Sequence, residues 1–256
     1  MKIIKKNKKF IIVYKEIGNT PLQVLDKLKE KFSYLKKNKL TYAGRLDPMA
    51  EGKLLVLIGD ECKKKEKYLK LDKEYNFEIL IGLKTDTADI LGLVKKNNFD
   101  FFKIDETNFQ KEIQKMKGKQ IMEYPAFSSK TVNGKPLFEY AKKGEISKII
   151  IPKKEIEIYK IKYLSQRVII KNQLEKELFY KINLMNEENN NFRKEEILKK
   201  WSSVLKNEKE NKQFLILKFR TTVSSGTYIR NIAEEISEKI LNNYGLALSI
   251  KRNKIG

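Results

Sequence analysis

Histidine is absent from this sequence of 256 residues, and cysteine occurs once, at Cys62. A single cysteine excludes an internal disulfide, and the lack of histidine excludes zinc sites built from Cys and His ligands. Histidine general bases and Ser-His-Asp triads are excluded as well. Any acid–base chemistry in this protein must therefore use a carboxylate, a lysine, a tyrosine or water.

Long hydrophobic runs are also missing from the sequence. No segment reaches the ~18 uninterrupted apolar residues expected of a membrane-spanning helix. Charged residues interrupt every apolar run in the first 15 positions, which is unlike a signal peptide. We therefore expect a cytoplasmic protein, and a hydrophobic content of 41% is enough for a sizeable core.

Arginine is scarce, although positive charge is not. Lys and Arg total 55 against 33 Asp and Glu, and the resulting net charge of +22 favours a polyanionic partner such as a nucleic acid. An AT-rich genome produces a similar lysine bias without any ligand. Because Lys dominates, the few Arg positions are the better candidates for forked hydrogen bonds that Lys cannot make. They are Arg45, Arg167, Arg193, Arg220, Arg230 and Arg252.

Strand-like and helix-like segments are mixed along the chain without regular alternation. This pattern predicts an α+β fold in which helices flank a mixed, mostly antiparallel central sheet. The clearest helix start has Thr20 as N-cap, Pro21 in the first position and Gln23 in the capping-box position. Apolar spacing extends that helix to about residue 36. Apolar runs predict strands at 9–15, 53–59 and 213–223.

Two later segments have a different texture. Residues 171–212 are interpreted as an insertion, in which "ELFYKINLM" predicts a strand and "NEENNN" a loop. A charged helix follows there, with Ile197, Trp201 and Leu205 at helical spacing. Residues 124–136 predict an extended, exposed loop that leads into a short helix.

Asp47, in "GRLDPMAEG", occupies a short loop between glycines and before a buried strand. Pro48 biases Asp47 towards an extended or turn conformation, which keeps the carboxylate rigid and near solvent. The common alternative for an Asp-Pro pair is an Asx-turn, in which the aspartate only caps its own loop. Arg45, two residues earlier, is either an ion partner of Asp47 or a phosphate contact.

Arg230 lies in the first turn of the helix that opens at "SSGTYIR". A cation there opposes the helix dipole by about 0.3–1 kcal/mol, so the sequence predicts an anion close to Arg230. The alternative is an exposed arginine paired with Glu234, one turn later on the same helix.

Tyr75 shares one face of a predicted strand with Phe77, Ile79 and Ile81. Such a stripe is typical of core packing, and the functional interpretation is a ring at the strand end that stacks on a base. The Thr and Asp side chains at 85–89 lack the further ligands of a calcium loop. They predict a hydrogen-bonded turn instead.

Five segments, in the correct order and over nearly the whole chain, resemble motifs of the TruB family of tRNA pseudouridine synthases. "AGRLDPMAEGKLLV" is similar to the catalytic motif of that family, and "LKLDKEYNFEILIGLKTDTADILG" to its tyrosine and Thr-Asp-Thr block. "YPAFSSKTVNGKPLFEYAKKGE" resembles the thumb-like loop that grips RNA. "SSGTYIRNIAEEI" and "LSIKRNKIG" are similar to the two C-terminal motifs.

The resemblance implies a pseudouridine synthase fold that forms one catalytic domain over 1–256, with the thumb-like loop at about 124–146. Because the sequence ends at "KIG", it also implies that a C-terminal PUA domain is absent. Asp47 becomes the catalytic aspartate, Arg230 its ion partner and Tyr75 the ring stacked on the target base. The implied reaction is the isomerisation of uridine 55 in the T loop of tRNA, by a monomer that uses no cofactor or metal. Residues at matching positions become candidate substrate contacts: Lys15, Tyr42, Arg45, Phe127, Lys130, Thr227 and Tyr228.

The match departs from the family pattern at several substrate-binding positions. Tyr42 stands where the family has a His that helps to position the flipped nucleotide. Phe127 replaces the tyrosine of the thumb, and Lys130 lies one place before the family's lysine, where this chain has Thr131. Glu16 replaces the proline of the N-terminal motif. These departures indicate a divergent member of the family.

Two alternatives follow from the same residues. "GRLD" together with "EGKLLVL" also resembles the RsuA-type ribosomal RNA pseudouridine synthases, but Pro48 and Ala50 follow the TruB pattern. The loss of the motif His allows a second alternative, a non-catalytic tRNA-binding chaperone that keeps the fold. Asp47, Tyr75 and Arg230 argue against it.

Overall fold

The computed structural model describes residues 2–97, 104–185 and 193–256. The strands in these ranges are β1 (Lys2–Lys6), β2 (Phe10–Lys15), β3 (Leu40–Ala43), β4 (Ala50–Ile58), β5 (Lys73–Ile81), β6 (Leu83–Thr85), β7 (Val94–Asn97), β8 (Gly118–Glu123), β9 (Thr131–Val132), β10 (Lys135–Pro136), β11 (Lys153–Ile170), β12 (Gln213–Val223) and β13 (Gly245–Ile255). The helices are α1 (Pro21–Lys31), α2 (Ser33–Lys36), α3 (Lys65–Leu69), α4 (Glu106–Lys115), α5 (Leu137–Lys142), α6 (Lys171–Asn183), α7 (Lys194–Lys206) and α8 (Ile229–Glu235). Short 3₁₀ turns cover Gly59–Lys64 and Ile146–Lys148, and a π-helical turn covers Ile236–Ile240.

A nine-stranded sheet organises the fold. Its strand order is β1-β2-β4-β13-β5-β12-β11-β8. The ninth strand, β3, pairs with the part of β4 that lies beyond its pairing with β13. Among the described strands of this sheet, β4 and β13 form the one parallel pair. Gly52 permits that pairing, because a Cβ at its φ of +113° would lie 2.4 Å from the carbonyl oxygen of Arg252. The predicted α+β fold with a mostly antiparallel sheet is confirmed.

The first helix begins as its sequence predicts but ends earlier. Thr20 Oγ1 accepts from the Gln23 N–H at 3.2 Å, and Gln23 Oε1 accepts from the Thr20 N–H at 2.7 Å, so the capping box is complete. The helix breaks at Phe32, which has extended backbone, and the short α2 follows. This break turns Leu35 inward, where it is buried with Leu28 against β2 and β4.

The main core joins buried residues of β5, β12 and β13 to those of the helices α4 and α8 and to those of α6 and α7. The rings of Phe77 and Phe219 stack at 5.1 Å between centroids, and Phe109 of α4 packs edge-on against Phe219 at 6.1 Å. Burying each of these side chains contributes about 1.5–3 kcal/mol. Because α8 packs against β5 and β13 in this core, the position of Arg230 in its first turn is fixed as well.

The strand predicted at "ELFYKINLM" is wrong, because that segment forms most of α6. Leu174, Leu178 and Ile182 recur every fourth residue and are all buried, a helical period that the β-branched and aromatic residues of the segment obscured. The helix predicted around Trp201 is confirmed as α7, with Ile197, Trp201 and Leu205 buried. The loop predicted at "NEENNN" lies outside the described residues.

The loop predicted at 124–136 is only partly extended. It contains the hairpin β9–β10, whose turn residues Asn133 and Gly134 both have positive φ, at 48° and 78°. Asn-Gly is the residue pair that favours a two-residue hairpin turn, and it explains why this part of the loop is a hairpin. The helix predicted after the loop is confirmed as α5. Within the described ranges, no helix is both long and apolar enough to cross a membrane.

Candidate active site

Asp47 lies in the loop between β3 and β4. Leu46 and Met49, on either side of it, are buried in the main core, and the Ala50 N–H donates to the Asp47 carbonyl oxygen at 3.0 Å. These anchors hold the loop while the Asp47 side chain stays 30% exposed. In the described part of the chain, no backbone N–H of this loop donates to the carboxylate, so the structure does not favour the Asx-turn interpretation.

Arg252 holds the start of this loop and the strand β4 that follows it. Its Nη2 donates to the Gly44 carbonyl oxygen at 3.0 Å, its Nη1 to that of Arg45 at 3.3 Å and its Nε to that of Lys53 at 2.7 Å. A lysine has no planar fork and could not reach three carbonyls in this arrangement. The sequence marked all arginines as candidates for forked contacts but did not single out Arg252.

Lys15 supports the same loop from the end of β2. Its ammonium is buried and donates to the carbonyl oxygens of Asn19 at 2.7 Å, Glu16 at 3.2 Å and Pro48 at 3.5 Å. Burial lowers the pKa of Lys15 to about 7, and the negative charge of nearby Asp47 opposes this shift. The structure thus places Lys15 behind the residue that follows Asp47, in contact with the protein's own backbone.

Arg230 is the partner of Asp47. Its side chain is only 3% exposed, and its Nε lies 2.8 Å from Asp47 Oδ2. The predicted anion near Arg230 is therefore found. The alternative pairing with Glu234 is wrong, because Arg230 is buried and Glu234 pairs with Lys84 at 3.0 Å.

The rest of the Arg230 guanidinium is held by backbone. Nη1 donates to the Thr87 carbonyl oxygen at 2.6 Å, and Nη2 donates to the Phe127 carbonyl oxygen at 3.3 Å. The Nε–H is not aligned for a hydrogen bond with any described atom, so its approach to Asp47 is ionic. Burial works against the charge, but the carboxylates of Asp47 and Asp89 outweigh it, so the pKa of Arg230 is raised.

Asp89 brings a second carboxylate to the site, 3.5 Å from Arg230 Nε. Its Oδ1 accepts from the Thr87 hydroxyl at 2.7 Å and from the Leu91 N–H at 2.9 Å, which confirms the predicted hydrogen-bonded turn. Burial raises the pKa of Asp89 to about 6, although the charge of Arg230 opposes the shift. Sequence reasoning assigned Asp89 to the turn but missed its contact with Arg230.

The Tyr228 ring lies beside Arg230, and Tyr75 lies in the main core. Tyr75 is buried at the start of β5, in the same packed cluster as Leu46 and Met49. The Tyr228 ring centroid lies 6.0 Å from Arg230 Cζ and 5.9 Å from the ring centroid of Tyr124. Burial, and then the charge of Asp47, raises the pKa of Tyr228.

Residues of the predicted thumb-like loop contact the site through a backbone carbonyl and through cations that lie against aromatic rings. Phe127 gives its carbonyl oxygen to Arg230, and the Arg193 guanidinium carbon lies 4.9 Å from the Phe127 ring centroid. Lys130 is exposed, with Nζ 5.4 Å from the Tyr124 ring centroid. The Thr227 hydroxyl donates to the Ser224 carbonyl oxygen at 2.9 Å and closes the turn before α8.

Tyr42 and Arg45 form a pair on the strand and loop that precede Asp47. Arg45 is exposed, and its Nη2 donates to the Tyr42 hydroxyl at 3.3 Å. The Tyr42 ring packs against the cluster between α1 and the sheet, and Lys65 Nζ lies 5.3 Å from its centroid. Tyr42 therefore lies on the strand that precedes the Asp47 loop, and Arg45 lies in that loop.

A family model described as the N-terminal domain of the TruB family of pseudouridylate synthases matches residues 31–179, more than half of the chain. The tRNA pseudouridine synthase B of Caldicellulosiruptor saccharolyticus is 28% identical over 246 residues, which cover 96% of this chain and 67% of that protein. The protein of the same name from Borreliella afzelii is 28% identical over 247 residues, or 96% of this chain and 69% of that protein.

Solved structures show the same fold. The chain matches one in the crystal structure of a Cbf5-Nop10-Gar1 complex with a TM-score of 0.56 and 17% identity, covering 97% of this chain and 49% of the other. This chain thus spans about two thirds of the curated relatives above and about half of the solved chain. The family match, with motifs that converge on Asp47 and Arg230, leads to one conclusion: the chain belongs to the TruB family of pseudouridylate synthases.

Proposed function

We propose that this protein is a tRNA pseudouridine synthase that isomerises uridine 55 in the T loop, with Asp47 as its catalytic group. The observation that carries the proposal is the contact between the partly exposed carboxylate of Asp47 and the buried guanidinium of Arg230. A cation fixed by two backbone carbonyls orients the carboxylate before any substrate arrives. Preorganised charge of this kind is what an enzyme needs where charge develops in the transition state.

In the proposed reaction, the N1–C1′ glycosidic bond of the uridine breaks, the uracil rotates and C5 forms a new bond to C1′. The C5 proton leaves and N1 is protonated, so the atoms of the nucleotide do not change in number. Asp47 either attacks C1′ and is displaced when C5 bonds to that carbon, or removes the C2′ proton after cleavage and returns it when C5 adds to C1′. Neither route requires a cofactor or a metal.

Substrate binding requires that the uridine leave the T-loop stack, which costs a few kcal/mol. In this proposal the Tyr75 ring offsets that cost, since stacking of a base on an aromatic ring contributes about 1–3 kcal/mol. Tyr228, Tyr42 and the thumb residues Phe127 and Lys130 contact the surrounding nucleotides. Exposed lysines and Arg45 contact phosphates.

The names of the relatives, tRNA pseudouridine synthase B, support tRNA as the substrate, and the net charge of +22 is consistent with a polyanion. A cytoplasmic location and a monomeric state belong to the same proposal. So does the assignment of 1–256 to one catalytic domain.

The test follows tritium release from a T-stem-loop RNA labelled at uridine C5. We expect wild-type protein to release tritium and Asp47→Asn to fold normally but release none. Asp60→Asn is the matched control, because Asp60 lies just beyond the other end of β4 and its side chain is 93% exposed in a pair with Lys63. Wild-type turnover by Asp47→Asn contradicts the catalytic assignment.

Substrate choice separates the alternatives in the same assay. Activity on ribosomal RNA fragments alone favours the RsuA-type function. Tight binding of tRNA whose T-loop uridine stays unmodified favours the non-catalytic chaperone, the alternative raised by Tyr42.

A further inference from the structure

Arg193, in the insertion at 171–212, contacts both of the segments that hold Arg230. Its Nη2 lies 2.9 Å from Asp86 Oδ2, and its guanidinium carbon lies 4.9 Å from the Phe127 ring centroid. Asp86 directly precedes Thr87, and the carbonyl oxygens of Thr87 and Phe127 accept from the two terminal nitrogens of Arg230. Arg193 and Arg230 therefore tie the same two segments together through different atoms.

The contacts of Arg193 are specific to a guanidinium. The Asp86 side chain is 7% exposed and that of Arg193 is 24% exposed, so the pair is largely shielded from solvent. Asp86 Oδ1 accepts from the Leu93 N–H at 2.8 Å, which leaves Oδ2 for Arg193. A planar guanidinium can donate to this oxygen and also lie against an aromatic ring, whereas an ammonium offers only a point charge.

The backbone and the helix behind Arg193 fix its position. Arg193 has left-handed backbone, with φ 49° and ψ 32°, at the N-cap of α7. A non-glycine residue in this region is strained, and such strain persists only where the surrounding structure requires it. Trp201 of α7 donates from Nε1 to the Ile90 carbonyl oxygen at 3.1 Å, so the helix is anchored just after the turn that contains Asp86.

We propose that Arg193 is a positioning residue that holds the thumb base at Phe127 against the turn at 85–89 and so fixes the orientation of Arg230 towards Asp47. In this proposal the insertion stabilises the arrangement of the active site. The effect of Arg193 on turnover rests on the proposed function, whereas its effect on the mobility of Arg230 does not.

The first test measures Arg230 directly and needs no substrate. Because the chain has only six arginines, their Nε–H signals give a sparse nitrogen–proton NMR spectrum in which solvent exchange can be followed residue by residue. In Arg193→Ala we expect exchange of the Arg230 Nε–H to accelerate by about tenfold or more, since the carbonyls of Thr87 and Phe127 that hold its guanidinium gain freedom. The buried Nε–H of Arg252, which donates to Lys53, is the internal reference and should not change.

Two further variants make this test specific. Arg193→Lys keeps the charge opposite Asp86 but loses the planar contact with Phe127, so its exchange should be intermediate; it also replaces Arg193→Ala if that variant does not fold. Arg167→Ala is the matched control, because it removes an arginine that donates to Glu177 of α6 at 3.0 and 3.1 Å. In Arg167→Ala we expect the Arg230 Nε–H to exchange at the wild-type rate. Unchanged exchange of Arg230 in both Arg193 variants overturns the inference.

The second test is single-turnover tritium release from the T-stem-loop RNA, measured well below the unfolding midpoint of each variant. We expect Arg193→Ala to lower the rate constant at saturating RNA about tenfold, because small misplacements of a catalytic group cost that much or more. The RNA Kd should stay within about twofold, and Arg193→Lys should recover part of the rate.

A purely structural role would lower the unfolding midpoint and leave the rate of the folded protein unchanged, which also overturns the inference. If wild-type protein is inactive on every RNA, the proposed function fails while the exchange measurement still decides the role of Arg193.

Discussion

Asp89 creates a pH dependence of stability that can be measured without any substrate. Its pKa is raised from the ordinary 3.8 to about 6, because burial disfavours the charged form more than Arg230 favours it. The folded protein therefore binds this proton more tightly than the unfolded chain does. The resulting contribution to stability is fully present below about pH 3.8 and is lost as the pH rises through about 6.

The size of the effect follows from these two pKa values. Between pH 7 and pH 5, protonation of one such group adds about 1–2 kcal/mol to the free energy of unfolding. Asp89→Asn keeps an acceptor oxygen for the Thr87 hydroxyl and the Leu91 N–H but cannot titrate. We therefore expect the free energy of unfolding of the wild type, minus that of Asp89→Asn, to be about 1–2 kcal/mol larger at pH 5 than at pH 7.

Urea unfolding of both proteins at the two pH values measures this double difference, in which the other titrating groups cancel. Asp60→Asn is the control, because Lys63 lowers the pKa of the exposed Asp60 carboxyl. The free energy of unfolding of the wild type, minus that of Asp60→Asn, should therefore be no larger at pH 5 than at pH 7. A difference for Asp89→Asn that is the same at both pH values refutes the reasoning, since Asp89 would then be charged throughout.

Three other substitutions test the site and its support. Arg230→Lys should lower the single-turnover rate about 100-fold, because a point charge cannot bond the carbonyls of Thr87 and Phe127 while facing Asp47; a rate within twofold of wild type in the tritium assay contradicts this. Thr20→Ala should lower the free energy of unfolding in urea by about 1 kcal/mol through loss of the N-cap, and unaltered stability would mean that the capping box contributes nothing. Trp201→Phe should cost about 1–3 kcal/mol in the same measurement, because it leaves a buried backbone carbonyl unpaired; a neutral substitution would show that another donor replaces the indole.

Local features of the fold were predictable from the sequence because their causes are local. The start of α1 depends on Thr20, Pro21 and Gln23, which all lie within four consecutive residues. The strand at 213–223 is an apolar run whose bounds agree with β12. The strand predicted at "ELFYKINLM" is wrong for a local reason as well, because the helical period of α6 includes Leu174, which lies just before that segment.

The geometry of the site could be predicted only in part. The helix dipole argument required an anion beside Arg230, and Asp47 lies there although most of the chain separates the two. No local pattern distinguishes Asp89 from the other polar residues of its turn, because its contact with Arg230 depends on how α8 packs on the sheet. The same holds for Lys15, whose burial under Pro48 depends on strand pairing between β2 and β4.

The scarcity of arginine was the sequence feature that best indicated long-range contacts of the site. It also helps to assign a role to Arg45. Arg193, Arg230 and Arg252 each make two or more directed contacts, around the Asp47 loop or the segment of Phe127, that lysine could not reproduce. Arg45 differs from these three, because its guanidinium is exposed and makes one long hydrogen bond, to the Tyr42 hydroxyl. An exposed arginine in a lysine-rich chain, on the loop that carries Asp47, has the properties of a phosphate contact. This reasoning supports the RNA-binding role proposed for Arg45 and separates it from the arginines that build the site.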